Sequence, residues 1–415
     1  MAALTAVMIG AGQRGFHAYG RWAKDHGAVL RFVAVVEPDE HRRARFAAEH
    51  GIREEMTAAS FAELPEGIAD TAFIAAPDHA HHGLAAATLA AGYHVYLEKP
   101  MAASPEDCAD LAARARDGDH ITAVGHVLRT TPFFRAVRHA IESGRLGDIV
   151  TVEHRENVAT WHMAHSFVRG NWATAADSTP MIVAKCCHDF DILDWVLGGE
   201  VTRLSSFGSL VHFRPEHAPE DAAARCIDCP LEDCPFDARP VYLNMANTGW
   251  PVHVVTDDLS RSGRLAALRD GPYGRCVYTA GSDVVDHQVV AMERSSGTSV
   301  TLAMHGHSAV EERTMRYDGT KATLRGRFGP TQVIQLTDHA TGEVEDVPIP
   351  HAAGGHRGGD DGAIRRFVAA VRGEEEPGST IADALDAHLA AFAAEESRRS
   401  GETVEMAGYR NRYSD

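Results

Sequence analysis

Met8-Ile9-Gly10-Ala11-Gly12-Gln13-Arg14-Gly15 constrains the fold more than any other stretch, because it ends an apolar run and opens a helix with glycines at fixed offsets. Leu4 to Ile9 reads as a short buried parallel strand. Beyond it, Gly10 permits a tight turn, Gly12 lets backbone approach a pyrophosphate, and Gly15 allows the next helix to pack close. Unpaired N–H groups at the helix start favour phosphate, with Gln13 and Arg14 in the same turn. The next apolar run, Leu30 to Val36, ends at Glu37, an acid placed to accept hydrogen bonds from a ribose 2′-hydroxyl. A 2′-phosphate would meet that carboxylate, so the pattern favours NAD over NADP. Arg42 and Arg43, close behind, partly offset that preference.

Up to Gly125 short apolar strands alternate with amphipathic helices, as in a parallel sheet covered on both faces. Strands are predicted at 4–9, 30–36, 69–75, 94–97 and 121–125, with helices at 13–26, 39–50, 81–91 and 104–117. Ser104 and Pro105 mark the start of the last helix. Residues 1–125 form the expected α/β Rossmann domain, a doubly wound parallel sheet. A helix from Pro132 to Ser143 opens a second domain, 126–400. After Gly147 longer alternating runs, among them 149–153, 289–292 and 299–303, point to an α+β domain with a large open mixed or antiparallel sheet. Residues 351–362 read as a loop, 363–373 and 381–399 as helices, and 401–415 as a tail that frays from Tyr409.

At 415 residues the chain is long enough for two cores. A formal charge of −18 argues against nucleic acid or an anionic membrane as partner. No stretch reaches the roughly 20 apolar residues that cross a bilayer, and the amino terminus lacks the pattern of a signal peptide. A cytoplasmic location is expected. Seven cysteines, an odd number, read as thiols or metal ligands rather than a disulfide framework.

Ala76-Pro77-Asp78-His79-Ala80-His81, Ala91-Gly92-Tyr93-His94-Val95 and Glu98-Lys99-Pro100 follow the glycine loop in a distinctive order and spacing. Gly125-His126-Val127-Leu128-Arg129, Pro132-Phe133-Phe134 and Cys187-His188-Asp189-Phe190-Asp191 continue it. In these segments the chain resembles the glucose-fructose oxidoreductase and inositol dehydrogenase family. The resemblance implies hydride transfer at a carbinol carbon of a sugar, cyclitol or related polyol, in a cleft between the domains. It also implies a homodimer or homotetramer built through the open face of the second sheet. Gly10, Gly12, Gln13, Arg14, Gly15, Glu37, Ala76, Pro77, His81, Glu98, Lys99 and Arg129 are the expected cofactor residues.

Oxidising an alcohol sends a hydride to the nicotinamide and a proton to a base, so an ionisable group must reach the hydroxyl. Lys99, at the carboxyl end of a parallel strand, is the first candidate and His188 the second. Many members of the family carry an aspartate four residues before this histidine. Position 184 here is alanine and Lys185 follows it, so Lys185 joins the catalytic candidates. His162, His165, Arg169, Asn171 and Trp172 read as a polar, aromatic loop suited to a sugar ring. His126, His188 and His356, the last with Asp360, complete the substrate candidates, and Asp78 and His81 shape the nicotinamide side.

Cys226, Cys229 and Cys234 form a C-x2-C-x4-C pattern inside a polar insertion at about 213–241, which suggests a structural zinc clip. Zinc needs a fourth ligand, and His212, His217 or His253 are the histidines at hand. Two other functions remain open: a redox glycoside hydrolase that oxidises, eliminates, hydrates and re-reduces its substrate, and a non-catalytic sensor of NAD or sugar.

Overall fold

In the computed structural model, residues 2–352 and 354–413 are described. Six strands, β1 (Leu4–Ile9), β2 (Leu30–Val36), β3 (Thr57–Ala58), β4 (Thr71–Ile74), β5 (His94–Leu97) and β6 (Thr122–Val124), form one parallel sheet in the order β3-β2-β1-β4-β5-β6. Every residue of β4 is buried, as befits a strand covered on both faces. The helices start where the sequence signals them. Asp39 caps Glu40–His50 by accepting from the Arg42 amide, and Ser104 caps Pro105–Asp117 by accepting from the Asp107 amide. The helix after the glycine loop is wound in two parts, a π-wound Gly15–Gly20 followed by Arg21–Asp25.

The second sheet has nine strands: β7 (Ile149–Ala159), β8 (Val201–Ser209), β9 (His287–Arg294), β10 (Ser299–Ser308), β11 (Glu312–Gly319), β12 (Ala322–Phe328), β13 (Val333–Asp338), β14 (Val344–Asp346) and β15 (Val404–Glu405). Their order is β14-β13-β12-β11-β7-β10-β9-β8-β15. Only β7 and β10 pair in parallel, so the sheet is mixed. One face packs under helices that include Met181–Leu197 and Leu385–Ser400. The other leaves apolar groups in the open: Phe207, 70 % exposed, sits opposite Val289.

The structure departs from the sequence reading in four places. The insertion fills 210–286, between β8 and β9, and has its own small core of Cys226, Ala238, Tyr242, Val252, Leu268 and Tyr273. Residues 160–169, expected as a loop, are helical at Thr160–His162 and π-wound at Met163–Arg169, and the second piece is wholly buried. The helix expected from 363 begins within the expected loop and runs Gly359–Val371. It returns to the first domain, where Ile364, Phe367 and Val368 pack with Met8, Tyr19, Phe73 and Tyr96. The tail does not fray at Tyr409, because β15 pairs with β8 and the helix Met406–Asn411 buries that ring.

The segments crossing between the domains bond to one another. Thr130 Oγ1 donates to the Gly359 carbonyl at 2.8 Å, Arg129 to the Gly378 carbonyl at 3.2 Å, and the Val124 amide to the Ser379 carbonyl at 2.8 Å.

Candidate active site

Strand order reverses between β1 and β4, and the crevice outside their carboxyl ends holds the glycine loop. Gly10 has φ 90°, and a Cβ there would stand 2.6 Å from the Ala75 carbonyl oxygen. A Cβ on Gly15 would overlap the Gly10 carbonyl oxygen at 1.9 Å. A Cβ on Gly12 would meet nothing within 4 Å, so its backbone borders open space. Glu37 is fixed beside it, Oε2 accepting from the Ala11 amide at 2.8 Å and Oε1 from the Asp39 amide at 3.0 Å. Arg43 turns back onto the Glu37 carbonyl at 2.6 Å, while Arg42 faces Asp257 at 4.0 Å.

Arg14 and Glu98 meet each other. Arg14 Nε donates to Glu98 at 2.5 Å and its terminal nitrogens reach Asp360 at 2.9 and 3.1 Å, while the Tyr19 hydroxyl donates to Glu98. Burial works to raise the Glu98 carboxyl, yet the Arg14 and Lys99 charges hold it below the ordinary range. His81 is buried between the carbonyls of Pro100 at 2.7 Å and Ala76 at 2.9 Å, joining the Ala76-Pro77 turn to the turn after Lys99. Trp172 donates to Asp78 at 2.9 Å across the domain boundary.

The opposite wall is the long helix Met181–Leu197. Lys99 Nζ donates to its Ala184 carbonyl at 3.0 Å, and His188 lies one turn further along the same helix face. Among the described residues the His188 ring makes no hydrogen bond, and its Nδ1 is fully buried. Burial, then the Lys99 charge, drives its pKa well below the usual histidine value and keeps the imidazole neutral. His126 and His356 flank it at ring-centroid distances of 5.9 and 6.2 Å. His356 and Arg357 are held at φ 47° and 56°, a left-handed conformation that strains side-chain-bearing residues, and Asp360 anchors His356 at 2.9 Å.

Lys185 is tied down elsewhere. Its Nζ bridges Glu311 at 2.8 Å and Glu156 at 3.2 Å, and these carboxylates outweigh burial to keep it charged. Arg313 links Glu156 (2.9 Å) to Asp189 (2.7 Å), which also takes His154 at 2.8 Å. Asp191 accepts from His126 at 2.7 Å and from Arg129 at 2.5 and 2.8 Å. His126 and Arg129, expected at substrate and cofactor, thus clamp the helix through Asp191. Their shared carboxylate partner, Asp191, closes the Cys187–Asp191 segment, but no local spacing announces the pairing. His126, Cys187 and His388 come within 4.8 Å of one another. His388 spends both nitrogens, on the Ala384 carbonyl and the Met101 amide, so this trio is packed core.

The polar run at 160–172 divides. His162 bonds to Glu311 at 2.9 Å and meets Trp250 at 5.0 Å. Trp250 and Trp161, about 40 % exposed, meet edge to face at 4.8 Å and form an aromatic platform that sequence reasoning missed. His165 lies behind Trp250 at 5.7 Å, bonded to the Tyr242 hydroxyl at 2.8 Å and stacked on Tyr273. Arg169 is buried under the insertion, donating to the Arg275 and Phe236 carbonyls at 2.7 Å. These two were expected to grip substrate; their partners show them supporting the insertion instead.

Cys226, Cys229 and Cys234 line one cavity, and the three expected histidines lie outside its lining. His212 packs on Phe213 and His217, while His253 stacks on His17 at 4.0 Å and bonds to Gln13. With Asp257 bonded to Arg45 of the helix Glu40–His50, this part of the insertion straps both that helix and the one that follows the glycine loop.

Two family profiles match. "Oxidoreductase family, NAD-binding Rossmann fold" covers residues 4–126, and "Oxidoreductase family, C-terminal alpha/beta domain" covers 138–406. Inositol 2-dehydrogenase 1 of Saccharopolyspora erythraea is 31 % identical over 43 % of this chain and 50 % of its own. The chain therefore spans about half the length of that curated relative. The oxidoreductase YteT of Bacillus subtilis is 24 % identical over 70 % of each chain. Among solved structures, an oxidoreductase from Agrobacterium radiobacter in complex with NAD+, L-tartaric acid and magnesium superposes with a TM-score of 0.70 at 16 % identity, covering 98 % of this chain and 99 % of that one. The WlbA dehydrogenase from Bordetella pertussis, in complex with NADH and UDP-GlcNAcA, gives 0.68 at 18 % identity over 97 % of each.

Proposed function

Because this chain belongs to the glucose-fructose oxidoreductase and inositol dehydrogenase (Gfo/Idh/MocA) family of oxidoreductases, we propose that it moves a hydride between NAD and a carbinol carbon of a sugar, cyclitol or sugar derivative. The observation that carries this reading is the pairing of Lys99 with a neutral, unpartnered His188 on one helix face beside the glycine-loop crevice. Gly10, Gly12 and Gly15 form the diphosphate cradle and Glu37 takes the ribose. NAD, when bound, supplies the hydride acceptor. His188 accepts the hydroxyl proton and Lys99 donates a hydrogen bond to the same oxygen, which stabilises its developing negative charge. Lys185, held charged by two carboxylates, keeps the cleft floor in place and takes no proton. Trp161, Trp250 and His162 present an aromatic face and a polar edge to a ring, and His356 stands beside His188. The bare Phe207–Val289 face joins copies of the chain into a homodimer or homotetramer.

The strap at His253 favours a second reading, in which NAD is retained and recycled within a redox glycoside hydrolase. One assay separates the two. Protein and NAD are incubated with sugars, cyclitols and aryl glycosides while NADH absorbance and aglycone release are followed together. Stoichiometric NADH supports the dehydrogenase. Aglycone without net NADH supports the hydrolase, and silence across the panel with NAD bound rejects both.

A further inference from the structure

We infer that Cys226, Cys229, Cys234 and Cys276 form a four-thiolate zinc site that closes the insertion. All four line the same cavity, about 20 Å³ in volume, between the turn at 226–236 and the segment at 276–278. Cys276 lies far from the other three in sequence. The backbone brings it back: Arg225 and Arg275 form an antiparallel bridge and the Cys276 amide donates to the Ala224 carbonyl at 2.9 Å, which puts Cys226 and Cys276 on the same face of the paired segments. None of the four is in a disulfide.

The surroundings suit a thiolate centre. Buried Arg169 donates to Cys226 Sγ at 3.4 Å, and Arg239, paired with Asp237, reaches the Cys229 carbonyl at 3.3 Å, so the lining carries a net positive charge against the negative charge that four thiolates and one Zn²⁺ would carry. The sulfurs stand around the cavity, no three of them within 4.8 Å of one another among the described residues. Cys229 and Cys234 lie half-exposed on turns, where they can swing inward onto a cation bonded at about 2.3 Å. A cavity of this size holds about one water-sized sphere, room for a single ion rather than a multi-iron cluster. The insertion also needs such a clip, because its own core is small and its helices are short. The site is remote in function from Lys99 and His188: binding releases thiol protons and orders the insertion, with no part in the hydride step.

Metal content of the purified full-length protein tests this. One zinc per chain is expected, removable by a strong chelator and restored by zinc alone, with four thiols becoming reactive on removal. Cys276→Ser should lower zinc occupancy at least ten-fold under chelator competition, while Cys108→Ala, in a first-domain helix, leaves it intact. Cobalt substitution of the wild-type chain gives a readout that does not depend on a variant folding: its visible spectrum should report four sulfur ligands in tetrahedral array. Failure of the wild-type protein to bind zinc, iron in its place, a cobalt spectrum with nitrogen or oxygen ligands, or full occupancy in folded Cys276→Ser would each overturn the inference.

Discussion

The two walls of the cleft are built on different principles. The first-domain wall is made of tight turns whose residues are neighbours in sequence: a glycine loop, Ala76-Pro77, and Glu98-Lys99. The second-domain wall is a helix held by charges from distant strands, with Asp189 on Arg313 and His154, Asp191 on Arg129 and His126, and Lys185 on Glu156 and Glu311. A wall made of turns is fixed chiefly by backbone geometry, with one buried charge cluster, Arg14 with Glu98 and Asp360, behind it. A wall held by buried ion pairs is fixed only while each charge keeps its partner, because an orphaned buried charge costs far more than a formed pair returns.

Substitutions at the tips of the two walls should have the largest effect. Lys99→Ala is expected to lower kcat/KM by about a thousandfold and His188→Asn by about a hundredfold, within the range for lost charge stabilisation and acid–base groups. NAD affinity, measured by calorimetry, should move less than a few-fold in both. Near wild-type turnover in Lys99→Ala would remove the first wall from the chemistry.

Arg313→Met should destabilise the fold by about 3–5 kcal/mol, since it leaves Glu156 and Asp189 buried without their shared cation. Thermal unfolding measures it. A fall no larger than that of Arg43→Met in the first domain would end the distinction between the walls.

Acid should act through the core packed against the helix Met181–Leu197, where His388 lies. His388 is fully buried, and desolvation takes its pKa down to about 3. A histidine depressed in the folded state adds stability that is whole above its ordinary value near 6.5 and is lost as pH falls from there towards 3, because the unfolded chain binds the proton first. Melting temperature should therefore drop between pH 7 and pH 5. His388→Gln should flatten that slope by about 1.4 kcal/mol per pH unit, and an unchanged slope would count against it.

The smallest effect belongs to the strap. His253→Ala should speed NADH release two- to five-fold in stopped-flow fluorescence with little change in stability, since this half-buried ring bonds to Gln13 and stacks on His17 at the edge of the first domain. No change would leave the strap without a role in holding the cofactor.

The same contrast explains what the sequence could tell. Gly10, Gly12 and Gly15 lie within one turn, and Ser104-Pro105 caps its helix locally, so short-range physics made them legible. The family segments likewise marked Lys99 and His188. Arg129 and His126 stood in such a segment too, yet their partner Asp191 lies some sixty positions on, and nothing local separates a clamp from a ligand. Trp250 was invisible for the same reason, since only the path of the long insertion brings it to His162. Arg169 looked like a sugar-binding arginine because a polar run without period resembles a loop; buried carbonyls from residues 236 and 275 made it a scaffold.

The three crossings between the domains, bonded to each other at Thr130–Gly359, Arg129–Gly378 and Val124–Ser379, gather at one place. Lys99 to Ala184 and Trp172 to Asp78 tie the halves again across the cleft. The chain is threaded through its own seam rather than strung as two beads. Because the first half contains a helix from late in the chain, cutting the protein at residue 125 would not release a working domain.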